Sequence, residues 1–413
     1  MFALAMAMLL QPAAANARQP NIVFIFVDDL GYSEIGSGVF DGGIPTPAID
    51  AIAKRGVTFT DGYVTASLCA PSRAGALTGR YNQRYGIYAN PVHHPPAGIG
   101  LPSAAVTMAE RLRDVGYATG MIGKWHLGGG PLHPMQQGFA EFLGMLESSH
   151  PYYGEDPENP VLRGYTPEPQ QGYLTAAFAR EAASFIHRHA TEPFFLYFAP
   201  NAVHWKYQAT TTELATVPTT VKGSDRRIFA AVLIGLDRAI GAIDAALRAE
   251  KLDQDTIIAI VSDNGGVRAG RTTPLRGRKG SVYEGGIRVP FILSWPQRLA
   301  PGSTYRAAVS TLDLTPTFLA AAGAASAPGL DGVDLLPYLG GRSGDPHPYL
   351  FWGDRTKGAV RRGNWKWVTN GELFDLSTDI AERNNLVAVH PEIVADLRRA
   401  RSQWLATLAP PQS

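Results

Sequence analysis

At 413 residues, 45% hydrophobic and 18% charged, the chain has the size and make-up of a globular protein able to bury a large core. Lys and Arg number 37 against 36 Asp and Glu, a formal charge of +1, so no basic excess points to nucleic acid and any pull on an anion must be local. A single cysteine excludes a disulfide framework within the chain.

Residues 2–15 are apolar but too few to span a bilayer, and Ala15-Asn16-Ala17 follows as a small-x-small cleavage pattern. This predicts a signal peptide over residues 1–17. Export without disulfides points to a bacterial periplasm or secretion. No later segment is long and apolar enough for a membrane span. Asn21–Val27 is a continuous apolar run, the mark of a strand buried on both faces, and it ends in Asp28-Asp29. Cys69-Ala70-Pro71-Ser72-Arg73, with Leu77-Thr78-Gly79-Arg80 beyond, reads as a loop turning into a helix N-terminus, where free N–H groups suit an anion or an activated nucleophile.

Thr107–Val115 reads as a helix leading to a strand at Ala118–Ile122 and then to Lys124-Trp125-His126. Tyr173–His189 is helical, and the strand Phe194–Phe198 follows, then Asn201–His204. Asp225–Ala249 carries Ile228, Val232, Leu236, Ile240, Ile243 and Leu247 on one stripe. Thr256–Val261 is another apolar strand and ends at Asp263-Asn264. Alternating strands and helices predict an α/β fold, a large, mainly parallel sheet with helices on both faces. Pro151–Pro169 and Ala325–Pro348 read as loops. Ala359–Val368 and Glu372–Leu376 predict a small antiparallel sheet, closed by a helix over Pro391–Leu405. The expected division is a catalytic domain over 18–340 and a C-terminal subdomain over 341–413.

Polar residues gather just past strand C-termini, where open α/β sheets place their sites. Asp28 and Asp29 would repel each other without a cation beside them. With Asp263 and Asn264 they make a hard oxygen set suited to Ca²⁺ or Mg²⁺ rather than zinc.

The Cys69–Arg73 motif with its Leu-Thr-Gly-Arg extension resembles the maturation signature of the type I sulfatases, of the alkaline phosphatase superfamily. Matching segments run from about Asn21 to about Leu386. They include Gly123-Lys124-Trp125-His126-Leu127-Gly128, Pro200–His204, Leu275–Gly280 and Glu284–Pro290. The resemblance implies that a separate formylglycine-generating enzyme oxidises Cys69 to an aldehyde, whose hydrate attacks sulfur. It further implies one divalent ion, usually calcium, on Asp28, Asp29, Asp263, Asn264 and modified Cys69. Arg73 and Lys124 would hold the hydrate, and Lys124 and Lys279 would offset sulfate charge. His204, alongside Lys279, would protonate the leaving alcohol, and His126 would deprotonate the remaining hydroxyl so that sulfate departs. Ser149 falls near a further sulfate-side residue, with Ser148 and His150 as alternatives.

His93, His94, Trp205, Lys206, Trp352, Asp354 and Arg355 are expected on loops that rim the cleft, where aromatic faces and charges suit a sulfated carbohydrate. Segments such as Gly138–Gly144 and Glu372–Leu386 look most like arylsulfatase and N-acetylgalactosamine-6-sulfatase members. The expectation is thus an exported sulfatase acting on glycan sulfate esters. The rivals are a phosphonate or phosphate ester hydrolase of the same superfamily, a small-molecule aryl or choline-type sulfatase, and a silent glycan-binding relative.

Overall fold

The run Asn21–Val27 is the middle strand of a ten-stranded sheet in the computed structural model, which describes residues 18–36, 42–96, 98–325 and 327–412. The expected signal segment, residues 1–17, lies outside the described residues. Five parallel strands form the centre, in the order Thr256–Ser262, Asn21–Val27, Phe194–Ala199, Ala118–Lys124 and Glu141–Met145. Phe291–Ser294 and then Gly56–Phe59 extend one side antiparallel, and Ser303–Tyr305 completes that edge. On the other side, Leu162–Arg163 and Thr166–Pro167 add two short antiparallel strands. The segment 151–169 is therefore not all loop, as its prolines suggested.

Period-2 alternation sends the central strand's residues to two cores. Ile22, Phe24 and Phe26 pack with Ala74, Leu77, Leu112 and Phe318 on one face. Val23, Ile25 and Val27 pack with Phe178, Phe185, Leu236 and Ile243 on the other. Full burial of each such side chain stabilises the fold by about 1.5–3 kcal/mol. The helices Leu174–Arg188 and Ser224–Ala249 cover the second face, within two residues of their expected bounds. Of the long helix's predicted stripe, Ile228 is only half-buried and the other five are buried.

The helix that begins with Cys69 runs to Thr78, and every one of its residues is buried. It lies close enough to its neighbour that a Cβ on Gly75 would sit 2.2 Å from Thr65 Oγ1. The C-terminal part is a four-stranded antiparallel sheet, Leu350–Gly353, Gly358–Arg362, Trp365–Val368 and Glu372–Asp375, with the helix Pro391–Leu405 against it. Its first strand carries no signal of its own in the sequence.

Candidate active site

All five central strands end at the same edge. Beyond their C-termini come Asp28 and Asp29, Lys124 to His126, Glu147 to His150, Asn201 to His204, and Asp263 with Asn264. The backbone there is specialised. Gly123 holds φ +116, and a Cβ on it would lie 2.0 Å from the carbonyl of Ala199, so only glycine lets the two strands stay paired up to the residue before Lys124. Asp29 and His126 adopt φ of 62 and 60, a conformation that costs non-glycine residues energy and that concentrates at functional sites.

The helix N-terminus brings Cys69 over this edge. Its Sγ lies 3.6 Å from Asp28 Oδ1 and receives the Lys279 ammonium at 3.1 Å. Lys279 also donates to Asp29 Oδ1 at 2.6 Å, and Lys124 to Asp28 Oδ2 at 2.7 Å. Arg73 donates from Nε and Nη2 to Asp263 Oδ2 at 3.1 and 2.8 Å, and from Nη1 to the Lys124 carbonyl at 3.0 Å. Asp263 Oδ1 accepts from the amide of Asp29, and Asn264 Nδ2 donates to Asp29 Oδ1 at 2.7 Å. His204 Nε2 stands 3.7 Å from Asp29 Oδ2.

The residues expected in the catalytic and metal sets, apart from His126, are thus joined in one cluster, and His126 lies close enough to feel the charges of Lys124 and Arg73. Sequence reasoning missed its supports. Tyr197 sets its hydroxyl 3.5 Å from Arg73 Nη1, and Asn90 Oδ1 accepts the Ala70 amide of the helix's first turn. Tyr152 donates to the His204 carbonyl at 2.9 Å, fixing the backbone that carries that imidazole. None of the three stands in a motif, so only the fold could reveal them.

Burial sets the protonation states. It pushes the Cys69 thiol up to about 12, with Asp263 adding to the effect, so the encoded side chain is a thiol and not a thiolate at neutral pH. Burial would raise Asp28, but Lys124 and His204 outweigh it and hold the carboxyl below its ordinary value. Burial and then Lys124 and Arg73 push His126 well below the usual imidazole value, leaving it a neutral base. Burial also lowers His204, although Asp28 and Asp29 oppose it. For Lys279 burial would favour the free amine, yet Cys69, Asp29 and Asp28 hold the ammonium well above its usual range.

The donor set fits a hard divalent cation. Ligand atoms of Asp28, Asp29, Cys69 and Asp263 all lie within 4.8 Å of one another. Asn264 Oδ1, buried among them, has no hydrogen-bond donor among the described residues, and an unpaired acceptor there is costly without a cation. Among the described residues, the imidazole nitrogens His126 Nδ1 and His204 Nδ1 of this site also stand unpaired.

The rim divides. His93 and His94 both turn Nδ1 to the Glu147 carboxylate, at 2.8 Å for His94, and the three line a cavity of about 390 Å³ that reaches His126. Trp205 is 38% exposed beside His204. Ser148 lines the cavity, whereas Ser149 is seen through its carbonyl, which accepts from Asn159 Nδ2. His150 is buried, its Nδ1 2.8 Å from the Pro151 carbonyl. The expectation for Trp352 is corrected. It is buried in the first strand of the C-terminal sheet, donates Nε1 to the Val64 carbonyl at 2.7 Å and packs on Tyr63, so it serves the core. Asp354 and Arg355 also do other work: Asp354 Oδ1 closes a turn onto Thr356 and Lys357, and Arg355 reaches the Leu408 carbonyl at 3.5 Å.

The chain resembles known proteins over most of its length. A family model described as Sulfatase matches residues 20–324, and one described as N-sulphoglucosamine sulphohydrolase, C-terminal, matches residues 278–404. The chain is similar to human arylsulfatase A, 38% identical over 93% of this chain and 82% of that protein. It is similar to the dog N-acetylgalactosamine-6-sulfatase, 32% identical over 91% of this chain and 78% of that protein. A solved structure of Ps i-CgsB in complex with k-i-k-neocarrahexaose superposes with a TM-score of 0.91 at 32% identity, covering 96% of this chain and 94% of that one.

Proposed function

The chain belongs to the sulfatase family and is a sulfuric ester hydrolase, and on that premise we propose that it cleaves sulfate esters of a glycan or oligosaccharide. In this reading it is exported to the periplasm or beyond, and a formylglycine-generating enzyme converts Cys69 to the aldehyde. Residues 18–340 form the catalytic domain and 341–413 the C-terminal subdomain. The observation that carries the reading is the buried cluster in which Cys69 Sγ touches both Asp28 and Lys279, with Asp29, Asp263 and Asn264 alongside. A thiol pushed up to about 12 is a poor nucleophile as encoded, which supports a chemically altered residue 69 as the reacting group. The carbohydrate assignment is supported by the N-acetylgalactosamine-6-sulfatase relative and by the oligosaccharide held in the structural neighbour.

The chemistry of the remaining residues follows. Attack on a sulfate ester brings a nucleophile to an already anionic group, so preorganised positive charge is the first need. Lys124 and Lys279 carry it, each anchored by an aspartate that fixes its direction. Asp28, Asp29, Asp263, Asn264 and an oxygen on residue 69 would hold Ca²⁺, with Mg²⁺ as the alternative, adding charge against the sulfate oxygens. The oxidised residue supplies, as its aldehyde hydrate, the oxygen that attacks sulfur. Arg73, paired with Asp263 at 2.8 Å, fixes the position of that carboxylate beside it.

His204 and Lys279 are the proton donors for the departing alcohol. Asp29 and Asp28 keep Lys279 as the ammonium, so the proton is in place, and the negative charge of a bound ester favours the protonated form of His204. His126, neutral and with Nδ1 free, accepts a proton from the residue 69 hydroxyl, which lets sulfate leave.

Parallel turnover of 4-nitrophenyl sulfate and 4-nitrophenyl phosphate by matured protein, before and after chelation, tests this. The sulfate ester should be strongly preferred and activity should fall with the metal. A preference for phosphate would move the protein to the phosphoesterase reading, and full activity without metal would remove the cation.

A further inference from the structure

Beyond the strand ends lie two features of different character, one after His204 and Asn264 and one beside His126. In the first, the Arg268 guanidinium carbon stands 4.0 Å from the centre of the Trp205 ring, and Lys206 Nζ stands 5.3 Å from it. Trp205 follows His204 in the chain, while Arg268 comes from the loop after Asp263 and Asn264. The stack therefore joins the loop of the leaving-group donor to a loop of the metal-binding set. Tyr207 Oη, donating to the Val267 carbonyl at 3.3 Å, ties the same two loops. The other is the 390 Å³ cavity, lined by Pro95, Ile99, Pro131, Leu146 and His126, with His93 and His94 both turned to the Glu147 carboxylate.

The cations of the buried cluster are all engaged by carboxylates, Arg73 by Asp263, Lys124 by Asp28 and Lys279 by Asp29. Lys206 and Arg268 are not: among the described residues neither forms an ion pair, and both are exposed. Two cations drawn to one indole repel each other unless an anion lies between them. A guanidinium lying over a ring also keeps its edge free for bidentate contact with an oxyanion.

We infer that Trp205, Arg268 and Lys206 form a subsite for a second anionic substituent, a sulfate or a carboxylate, on the sugar adjoining the one that is desulfated. The cavity has no Lys or Arg among its described lining residues, and its histidines His93 and His94 are already turned to Glu147, so an uncharged, partly apolar ring lies there. The enzyme then prefers polyanionic glycans over singly sulfated ones. This rests on the sulfatase reading above, which it deepens.

The test uses three tetrasaccharides that are identical at the scissile ester and differ at the adjoining sugar, which is neutral, a uronate or sulfated. Wild-type kcat/KM should be about tenfold higher for the two anionic forms than for the neutral one, expressed through KM, and salt should shrink that ratio. Comparing the uronate with the sulfated form tells which anion the platform takes. In the double variant Arg268→Gln, Lys206→Gln the ratio should collapse toward one, and Arg268→Lys should restore part of it. A wild-type ratio of one, or a ratio that survives the double variant with an unchanged melting temperature, overturns the proposal. Should matured protein hydrolyse no sulfate ester at all, 4-nitrophenyl sulfate included, the sulfatase reading fails by itself. Calorimetric binding of the three tetrasaccharides to Cys69→Ser then still decides the subsite: the same order upholds it, and equal affinities overturn it.

Discussion

Two buried charge clusters in this molecule have the same ingredients and opposite purposes. At the strand ends, Asp28, Asp29 and Asp263 meet Lys124, Lys279 and Arg73. About the C-terminal sheet, Asp61, Glu284 and Glu382 meet Arg288, Arg361 and Lys366. The second cluster bridges two parts of the chain. Lys366 pairs with Glu284 at 2.8 Å and with Glu382 at 2.8 Å, and the hydroxyl of Tyr63 donates to Glu284 Oε2 at 2.5 Å. Burial would raise Glu284, but Lys366, Arg288 and Arg361 hold it well below the usual carboxylate range. Lys366 and Glu284 have no exposed side-chain surface. It is a sealed joint.

The first cluster is unfinished by comparison. It opens to solvent through Lys279 and His204, and it keeps Asn264 Oδ1, His126 Nδ1 and His204 Nδ1 unpaired. An acceptor such as Asn264 Oδ1, left unpaired among buried carboxylates, costs stability unless a ligand meets it. What separates the two clusters is access and not the number of charges: Lys279 and His204 reach solvent, whereas Lys366 and Glu284 do not.

The largest effect that would break this contrast is at the centre of the open cluster. Cys69→Ala should abolish turnover of every sulfate ester. Its thermal midpoint should move little, because the deletion removes one small atom group and costs about 1 kcal/mol. Steady-state turnover by this variant would place the chemistry elsewhere. Next, His204→Ala should reduce sugar-sulfate turnover by roughly 10²–10⁴-fold and 4-nitrophenyl sulfate turnover far less, since 4-nitrophenolate leaves without a proton. Equal losses on the two substrates would make His204 a binding residue only.

The sealed joint should respond in stability instead. Lys366→Met leaves Glu284 and Glu382 buried without their shared cation, and denaturant unfolding should show a loss of about 3–5 kcal/mol. The matured enzyme that remains folded should keep its kcat, and a selective loss of kcat would link the joint to catalysis.

The smallest effect sharpens the comparison with a single buried pair. Burial would lower the His347 imidazole, but Asp313, whose oxygens lie 2.8 and 2.9 Å from Nε2, raises it above its ordinary value. A raised folded-state value means the pair stabilises fully below the unfolded value of about 6.5 and loses that contribution as pH rises through the folded one. The stability gap between wild type and His347→Asn should therefore narrow from pH 6 upward. A gap that widens would show that the pair acts as neutral hydrogen bonding.

Much of the open cluster was legible because its members sit directly after strand signals. Asp28 and Asp263 end apolar runs, and Lys124 and His126 close a third, so the rule for open sheets is enough to bring them to one edge. The joint was not legible. Lys366 and Glu284 are 82 positions apart, and no local pattern says that a lysine on a short strand will be buried. Trp352 failed for a related reason: an aromatic on a rim loop and an aromatic on an edge strand look alike until strand pairing is known. Arg268, between glycine-rich neighbours, carried no signal that its guanidinium would reach Trp205.

The central claim is that the open cluster works through an oxidised residue 69. The direct measurement is the intact mass and peptide map of protein co-produced with a formylglycine-generating enzyme, read beside its turnover of 4-nitrophenyl sulfate. The account predicts that the fraction of chains carrying an aldehyde at position 69, captured by an aminooxy reagent, tracks the active fraction across preparations of graded maturation. Full turnover by protein whose Cys69 is entirely an unmodified thiol would contradict it.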